Sequence, residues 1–401
     1  MTQPVEKVAV LGGGLGSLIT LAGIVSRPEW KNQYEFTVYE KSWRLGGKGA
    51  SGREPVNPNG SWEDGSRILE HGLHIWLGFY NNAFHYMQAA FEALGEDWAN
   101  FYTSLDLLVF QESLVKVPDS LKNPIHYEPW PINFPTNPGV PGTPSLFGWE
   151  GAEESPEDSA AQLLGALIPF VRKMMSQSGV ARQFDELIKN AAESAEGLKK
   201  LALLGLDELL KTRLKGGISS WLDSLEEQVK KILEKDAVEA VPFTINLITF
   251  LQRWLHTVPL IYNLNKNSGA RHIYIALDLG LALLRGIIES EVITKGFDSV
   301  NDLEWTAWLK QNGASEWTLD SAPIRALYDL VFGYEKGDIN QRSFSAGVSL
   351  YCIFRIFLTY KGHILWKMNM GMGDTIFTTL EKYLSLKGEV DPIVQTNFPA
   401  F

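Results

Sequence analysis

The spacing of hydrophobic positions changes twice near the N-terminus. The run "KVAVL" (7–11) is short, apolar and rich in β-branched valine, which predicts a buried parallel strand. The following "SLITLAGIVSR" (17–27) predicts a helix, and "EFTVYE" (35–40) predicts a second strand. The span from Lys7 to Glu40 therefore has the length of one strand–helix–strand crossover.

Two further patterns divide the rest of the chain. Residues 124–144 contain seven prolines, which predicts an extended, stiff linker or lid and argues against a helix or a central strand. From about residue 155 the helical period dominates. The apolar residues of "SSWLDSLEEQVKKILEK" recur at helical spacing, at Leu222, Leu225, Val229 and Ile232. We therefore expect a mixed α/β N-terminal region followed by a mostly helical one.

The glycines between the first strand and the helix predict a phosphate-binding turn. In such a crossover the first glycine makes the tight turn, the second lets backbone amides reach a pyrophosphate, and the helix N-terminus supplies partial positive charge. Gly12 and Gly14 fit the first two positions, and Ser17 takes the third, with Gly16 beside it. Glu40 ends the second strand, where it could accept hydrogen bonds from ribose hydroxyls and repel a 2′-phosphate. A tight turn without a ligand is the alternative.

A second glycine-rich stretch, "KSWRLGGKGASGR", follows Glu40 directly. Its glycine pair is flanked by Arg44 and Lys48, so the loop can lie over the pyrophosphate of a dinucleotide larger than a nicotinamide one. A solvated turn with incidental charges is the alternative.

Together these motifs resemble the FAD-dependent flavoproteins that include phytoene desaturases, related carotenoid and squalene-pathway oxidoreductases, and flavin amine oxidases. In the family's R-x-G-G-R loop, Lys48 takes the last place, which keeps the charge but lacks the bidentate fork of arginine. The segment "ILEHGLHIWLGFYNNAF" (68–84) resembles the desaturase branch's acidic-x-Gly-x-His segment. The segment "WKMNMGMGDTIFTTLEKYL" (366–384) resembles the glycine–methionine loop and helix that re-enter the cofactor domain.

The resemblance implies the α/β fold class, with a Rossmann-type FAD-binding domain and a large, mostly helical substrate region. It implies four segments: the N-terminal part of the FAD-binding domain (1–123), the proline-rich linker or lid (124–150), the helical substrate region (151–345) and a return segment to the FAD-binding domain (346–401). The residues expected to bind FAD are Gly12, Gly14, Gly16, Ser17, Glu40, Lys41, Arg44, Gly46, Gly47, Lys48, Gly371, Met372 and Gly373.

The candidate catalytic residues are His74, His71 and Glu70. A bound flavin takes the hydride, so the protein mainly needs to orient an apolar substrate and manage one proton, which a histidine or a carboxylate can do. A histidine among the aromatic residues that follow this segment could instead be a hydrogen-bonded core residue. The two histidines could suggest a metal pair, but no third ligand at suitable spacing completes it, so we predict no metal.

These expectations describe an FAD-dependent oxidoreductase that acts on a long apolar substrate such as an isoprenoid or polyene. A flavin amine or amino-acid oxidase is the first alternative, and it would need a pocket for a cation or a carboxylate. The family's final Ala-Gly-Asp segment, which closes over the flavin, is not found in "SLKGEVDPIVQTNFPAF". A truncated, non-catalytic dinucleotide-binding module or assembly partner is therefore the second alternative, with weakly held flavin.

Charge and composition narrow the partners. The chain has 36 basic and 47 acidic residues, a net charge of −11, which argues against nucleic acid. The single cysteine, Cys352, excludes an intrachain disulfide and suits a cytoplasmic protein. The apolar stretches carry Arg253, Asp278 or Arg355, so we expect no membrane span. The 13 Trp, 20 Phe and 13 Tyr suit an apolar pocket or peripheral contact with a membrane. Binding to a partner chain or assembly into a homo-oligomer is a further alternative.

Overall fold

The computed structural model describes residues 5–57, 59, 65–72, 74–113, 127–143, 156–177, 182, 185–186, 217–234, 237–258, 264–388 and 393–394. The chain divides into two compact units. The first unit consists of Met1–Asp106, Pro135–Ala152 and Thr359–Phe401. The second consists of Leu107–Phe134 and Glu153–Leu358.

The described secondary structure is mixed, with short strands and longer helices. The strands are β1 Glu6–Leu11, β2 Tyr34–Glu40, β3 Gly52–Pro55, β4 Ser66–Leu69, β5 Ile75–Leu77, β6 Tyr102–Leu105, β7 Leu107–Ser113, β8 Tyr127–Asn133, β9 Leu365–Met368 and β10 Ile393–Val394. The helices are α1 Leu15–Val25, α2 Asn81–Ala93, α3 Pro156–Gln177, α4 Gly217–Leu233, α5 Ala237–Leu255, α6 Ser268–Glu289, α7 Val292–Lys295, α8 Trp305–Gln311, α9 Glu316–Leu319, α10 Ala322–Val331, α11 Ala346–Leu358 and α12 Thr379–Gly388.

The first unit begins with the predicted crossover, and the structure confirms it. Strands β1 and β2 pair in parallel along their whole length, with Val8 opposite Phe36, and α1 connects them. Strand β10 pairs in parallel with the other edge of β2. Two antiparallel sheets complete the unit, a β3–β4 hairpin and the order β5-β9-β6.

The core of the first unit joins residues that are far apart in the sequence. Leu18 and Leu21 on α1 and Val38 on β2 belong to the same buried cluster as Phe377 and Leu380. Phe377 lies in a π-helical turn, Gly373–Thr378, that leads directly into α12. Burial of this apolar cluster therefore holds the C-terminal segment against the N-terminal crossover.

The second unit is mainly helical. The predicted stripe on α4 is confirmed for Leu222, Leu225 and Val229, which are buried, while Ile232 is half-buried. The long helix α6 is buried along most of its length and packs against α3 and α5. Asp278 on α6 is fully buried, and its carboxylate accepts hydrogen bonds from the backbone N–H and the hydroxyl of Ser315 at 2.8 Å. Within the part of the chain that the structure describes, no helix is long and apolar enough to cross a membrane.

The proline-rich segment differs from the expected linker over part of its length. Residues Tyr127–Asn133 form β8, which pairs antiparallel with β7, and Pro129 and Pro131 lie opposite Gln111 and Val109. A two-stranded sheet has only edge strands, so a proline that cannot donate to the ladder is tolerated there. The sequence shows where the prolines are, but their spacing does not predict that this segment pairs with β7.

The two units also divide the chain at other positions than expected. Leu107–Phe134 belongs to the second, helical unit, although residues up to 123 were expected in the cofactor domain. The return to the first unit begins at Thr359, so α11, Ala346–Leu358, belongs to the helical unit. Packing decides these boundaries, whereas the expected ones follow composition and the family resemblance.

Candidate dinucleotide-binding site

The turn between β1 and α1 contains three consecutive glycines, and the first two are needed by the fold itself. Gly12 has φ +94°, a conformation that side chains rarely adopt, and its N–H donates to the Tyr39 carbonyl at 2.8 Å. At Gly13, a Cβ would lie 2.4 Å from Leu45 Cδ2. These two glycines are thus explained by backbone conformation and by close packing.

Gly14 and Gly16 have no such explanation within the chain. Apart from the adjoining backbone, no atom of the described residues would lie within 4 Å of a Cβ added at Gly12, Gly14 or Gly16. Gly14 is the N-cap of α1 with φ −76° and ψ 172°, an ordinary extended conformation. The space in front of these glycines is open, which is what the close approach of a ligand requires.

The N-terminus of α1 is available to an anion. Among the residues that the structure describes, no side chain caps it, and its first turn contains no acidic residue. The first backbone N–H groups of a helix have no partner within the helix, and they lie at the positive end of its dipole. Ser17 lies in this first turn and is partly exposed. The arrangement fits a phosphate group held against the glycine turn.

Glu40 lies at the predicted place, at the end of β2, and is 8% exposed. Its Oε2 accepts a hydrogen bond from the Gly13 N–H at 2.7 Å, and its Oε1 accepts one from the Ser42 N–H at 2.9 Å. The sequence did not predict that Glu40 would connect the first glycine loop, at Gly13, with the second, at Ser42. Each carboxylate oxygen can accept a further hydrogen bond, so contact with a ribose hydroxyl is compatible with this geometry.

The two glycine loops are brought together. The Gly46 N–H donates to the Gly13 carbonyl at 2.8 Å, and a Cβ at Gly47 would lie 3.4 Å from Gly14 Cα. Gly46 and Gly47 both have positive φ, at 128° and 54°. Gly49 closes the loop against Phe377, whose ring would lie 2.6 Å from an added Cβ.

The basic residues of the second loop have two different environments. Arg44 is largely buried, and its Nη2 donates to Thr378 Oγ1 at 3.1 Å and lies 3.4 Å from Asp374 Oδ1. Arg53 also pairs with Asp374, at 2.5 Å. Lys41 and Lys48 are exposed, and neither has an ion-pair partner among the residues that the structure describes. Arg44 thus anchors the loop, and the two lysines supply the available positive charge.

Glu70 binds the C-terminal segment. Its Oε1 accepts hydrogen bonds from the Met372 N–H at 2.8 Å and from the Ser51 hydroxyl. Ser51 Oγ in turn accepts a hydrogen bond from the Gly373 N–H at 2.7 Å. A Cβ at Gly371 would lie 2.4 Å from Glu70 Oε1. Gly371, Met372 and Gly373 therefore lie beside the second glycine loop, held by Glu70 and Ser51.

The structure brings two of the three catalytic candidates together. His74 Nδ1 lies 3.1 Å from Glu70 Oε2, close enough for an ion pair when the imidazole is protonated, although the angles do not form a hydrogen bond. His71, the residue after Glu70, is exposed, and no contact joins its side chain to this pair among the described residues. Among the described residues, no group of three or more His, Cys, Asp or Glu could hold a metal ion.

Comparison with known proteins matches the same region. Residues 10–90 match the family model described as an NAD(P)-binding Rossmann-like domain. No curated protein and no solved structure matches the chain. The matched range extends from β1 into α2, so it includes both glycine loops, Glu40 and the Glu70–His74 pair. The N-terminal region of this α/β chain is therefore a Rossmann-like dinucleotide-binding domain.

Proposed function

We propose that the chain is an FAD-dependent oxidoreductase of the desaturase or dehydrogenase type. The observation that carries this proposal is the open space in front of Gly12, Gly14 and Gly16, beside an uncapped helix N-terminus. The fold does not require glycine at position 14 or 16, so a ligand that approaches the backbone closely is the physical reason for it.

The second glycine loop favours FAD over a nicotinamide dinucleotide. It adjoins the first loop at Gly14 and carries exposed Lys48, so a pyrophosphate at α1 would be covered from a second side. The buried charge of Glu40 opposes a 2′-phosphate and so disfavours NADP. Bound flavin would supply a hydride acceptor. The chain's own residues would bind the dinucleotide and hold a proton, for which His74 beside Glu70 is the proposed group.

The helical unit supports an apolar substrate. It contains a partly open apolar cavity with a volume of about 100 Å³. Strand β8 and helices α3, α6 and α11 supply most of its wall, with the rings of Trp130, Phe170 and Phe357 among apolar side chains. Protein interiors are close-packed, so an apolar opening of this kind is a place where an apolar group could enter. We propose that a long isoprenoid or polyene is the substrate.

The same cavity argues against an amine or amino-acid oxidase. Its described lining contains no Asp, Glu, Lys, Arg or His side chain. A cationic or carboxylate substrate left without a charged partner there would carry a large desolvation cost.

The test is cofactor retention by the purified full chain. We expect FAD, but not NAD⁺, to be retained and to give an absorption band near ~450 nm, as for a flavin that carries hydride. Both cofactors are added in separate samples and free cofactor is removed before the spectrum is taken. A colourless protein that retains NAD⁺ would contradict FAD as the cofactor. Retention of neither dinucleotide would contradict the proposed function as a whole.

A further inference from the structure

Trp43 is an exposed tryptophan beside the dinucleotide-binding turn. It lies three residues beyond Glu40 and is 61% exposed. Tryptophan carries a large apolar ring, and leaving it in water forfeits the free energy that burial would release. The Trp43 side chain is not buried in the core of the first unit, whereas Leu45, two residues further along the same loop, is only 3% exposed.

The loop that carries Trp43 is held in place by a series of hydrogen bonds. The Ser42 N–H donates to Glu40 Oε1 at 2.9 Å, and the Ser42 hydroxyl donates to the Arg44 carbonyl at 2.8 Å. Both residues that flank Trp43 are thus fixed by groups of the loop or of β2. The exposed indole is therefore presented by an ordered backbone, not by a free chain end.

Arg44 orients the indole ring. Its guanidinium carbon lies 5.1 Å from the centroid of the Trp43 ring, within the range of a cation–π interaction. The guanidinium is itself held by Asp374 and Thr378. The Trp43 ring is exposed, but the anchored guanidinium restricts its motion. Ligand binding would therefore cost less side-chain entropy than binding to a freely rotating ring.

The fold determines which part of a dinucleotide would lie near this ring. In a crossover of this type the pyrophosphate lies at the N-terminus of the helix, and the acidic residue at the end of the second strand contacts the adenosine ribose. The adenine base then extends beyond that acidic residue. Here the acidic residue is Glu40, and the loop from Ser42 to Arg44 follows it.

We propose that Trp43, stacked on Arg44, is an adenine-binding surface of this domain. The ligand class is adenine nucleotides, with the base stacked on the indole and the diphosphate at the glycine turn. The assignment rests on the proposed dinucleotide-binding function and adds a base-contacting residue to it. Stacking needs only the flat face of the base. The indole of Trp43 would therefore add binding affinity, but it would not form hydrogen bonds to the edge of the adenine.

The experiment measures ADP and FAD affinity by calorimetry for the full chain and three variants. Trp43→Ala removes the ring, Trp43→Phe keeps an aromatic face, and Phe332→Ala removes an aromatic side chain that is 88% exposed in the other unit. We expect Trp43→Ala to weaken ADP binding by about tenfold or more, a usual effect of losing one base–aromatic stack. Trp43→Phe should retain most of the affinity, and Phe332→Ala should retain all of it.

The outcomes separate this inference from the proposed function. ADP and FAD affinities of Trp43→Ala equal to those of the unaltered chain would overturn the adenine surface and leave the dinucleotide function intact. Absence of ADP and FAD binding by the unaltered chain would overturn the proposed function itself. Thermal unfolding of each variant checks its fold. A second readout is quenching of tryptophan fluorescence by ADP, which Trp43→Phe should diminish; unchanged quenching would also count against the inference.

Discussion

At the residue scale, neighbouring glycines in one turn have different physical causes. Gly12 is required by a positive φ, and Gly13 by Leu45, whose Cδ2 would lie 2.4 Å from an added Cβ. Gly14 is required by neither, since its backbone is extended and its surroundings are open. Gly14 is the glycine that a ligand, and not the fold, would explain. It is therefore the position at which a binding site can be distinguished from a tight turn.

Gly14→Val should therefore abolish binding with little loss of stability. The branched side chain would occupy the open space where a phosphate must approach, while φ −76° and ψ 172° are acceptable for valine. Titration with FAD and thermal unfolding check the two effects.

Gly13→Val is the matched control. It should lower stability, by about 1–3 kcal/mol as for an overpacked core, because Leu45 is in the way. A Gly14→Val protein that binds FAD as tightly as before would show that these glycines form only a turn.

At the element scale, the segment from Gly371 to Thr378 contacts the second glycine loop and the residues around it. Arg44 and Arg53 share Asp374, Glu70 and Ser51 bind the backbone before it, and Phe377 packs on the second glycine loop. These groups are more than 300 positions apart in sequence. The cofactor loop is thus ordered by a segment that follows the whole helical unit along the chain.

Asp374→Ala should lower the free energy of unfolding by about 2 kcal/mol, because two partly buried guanidinium groups lose their partner. Urea unfolding measures the change. Glu316→Ala is the control, since it removes an exposed ion pair with Lys310 and should cost at most about 0.5 kcal/mol. Equal, small effects of the two substitutions would show that the Asp374 network does not stabilise the unit.

The cavity of the helical unit owes its width to small residues on two helices. Ala166 on α3 and Ala276 on α6 both line it. Ala166→Phe should fill part of the space and reduce binding of the fluorescent hydrocarbon diphenylhexatriene by about tenfold, since one lost apolar contact of this size is worth roughly 1–3 kcal/mol.

Ala307→Phe is the matched control for added aromatic surface. Ala307 is exposed on α8 of the same unit, so this variant should bind the probe as the unaltered chain does. Fluorescence titration distinguishes them. If Ala166→Phe also binds the probe unchanged, the hydrocarbon does not occupy this cavity.

At the scale of the whole molecule, both units keep tyrosines protonated to high pH. Burial raises the pKa of Tyr102 in the first unit and of Tyr274 and Tyr328 in the second. Burial, with a smaller contribution from Asp106, raises the pKa of Tyr360 to about 12 from 10.0. The folded chain therefore binds more protons than the unfolded chain in this range, so its stability must fall as the pH rises.

We expect this loss to begin above about pH 10, where unfolded tyrosines ionise, and to continue through pH 12. Unfolding measured at a series of pH values checks it. Tyr360→Phe should be less stable at neutral pH, because the hydroxyl donates to the Pro135 carbonyl, but its stability should fall less steeply with pH. An identical slope in the variant would contradict the contribution of Tyr360.

Features that depend on neighbours along the chain could be predicted from the amino-acid sequence. The strand–helix–strand crossover, the α4 stripe and the glycine turn follow from side-chain periods and from backbone conformations within a few residues. The matched Rossmann-like range, residues 10–90, covers the crossover from the end of β1 onward. The roles of individual site residues in binding and catalysis stay predictions.

Contacts between distant segments are visible in the three-dimensional fold alone. The Glu40 carboxylate accepts hydrogen bonds from the Gly13 and Ser42 N–H groups, and Asp374 pairs with Arg44. Residues Tyr127–Asn133, with their prolines, form a strand because they pair with β7. No local period records such pairings, because they arise when apolar surfaces such as Phe377 are buried and the polar groups beside them must find partners.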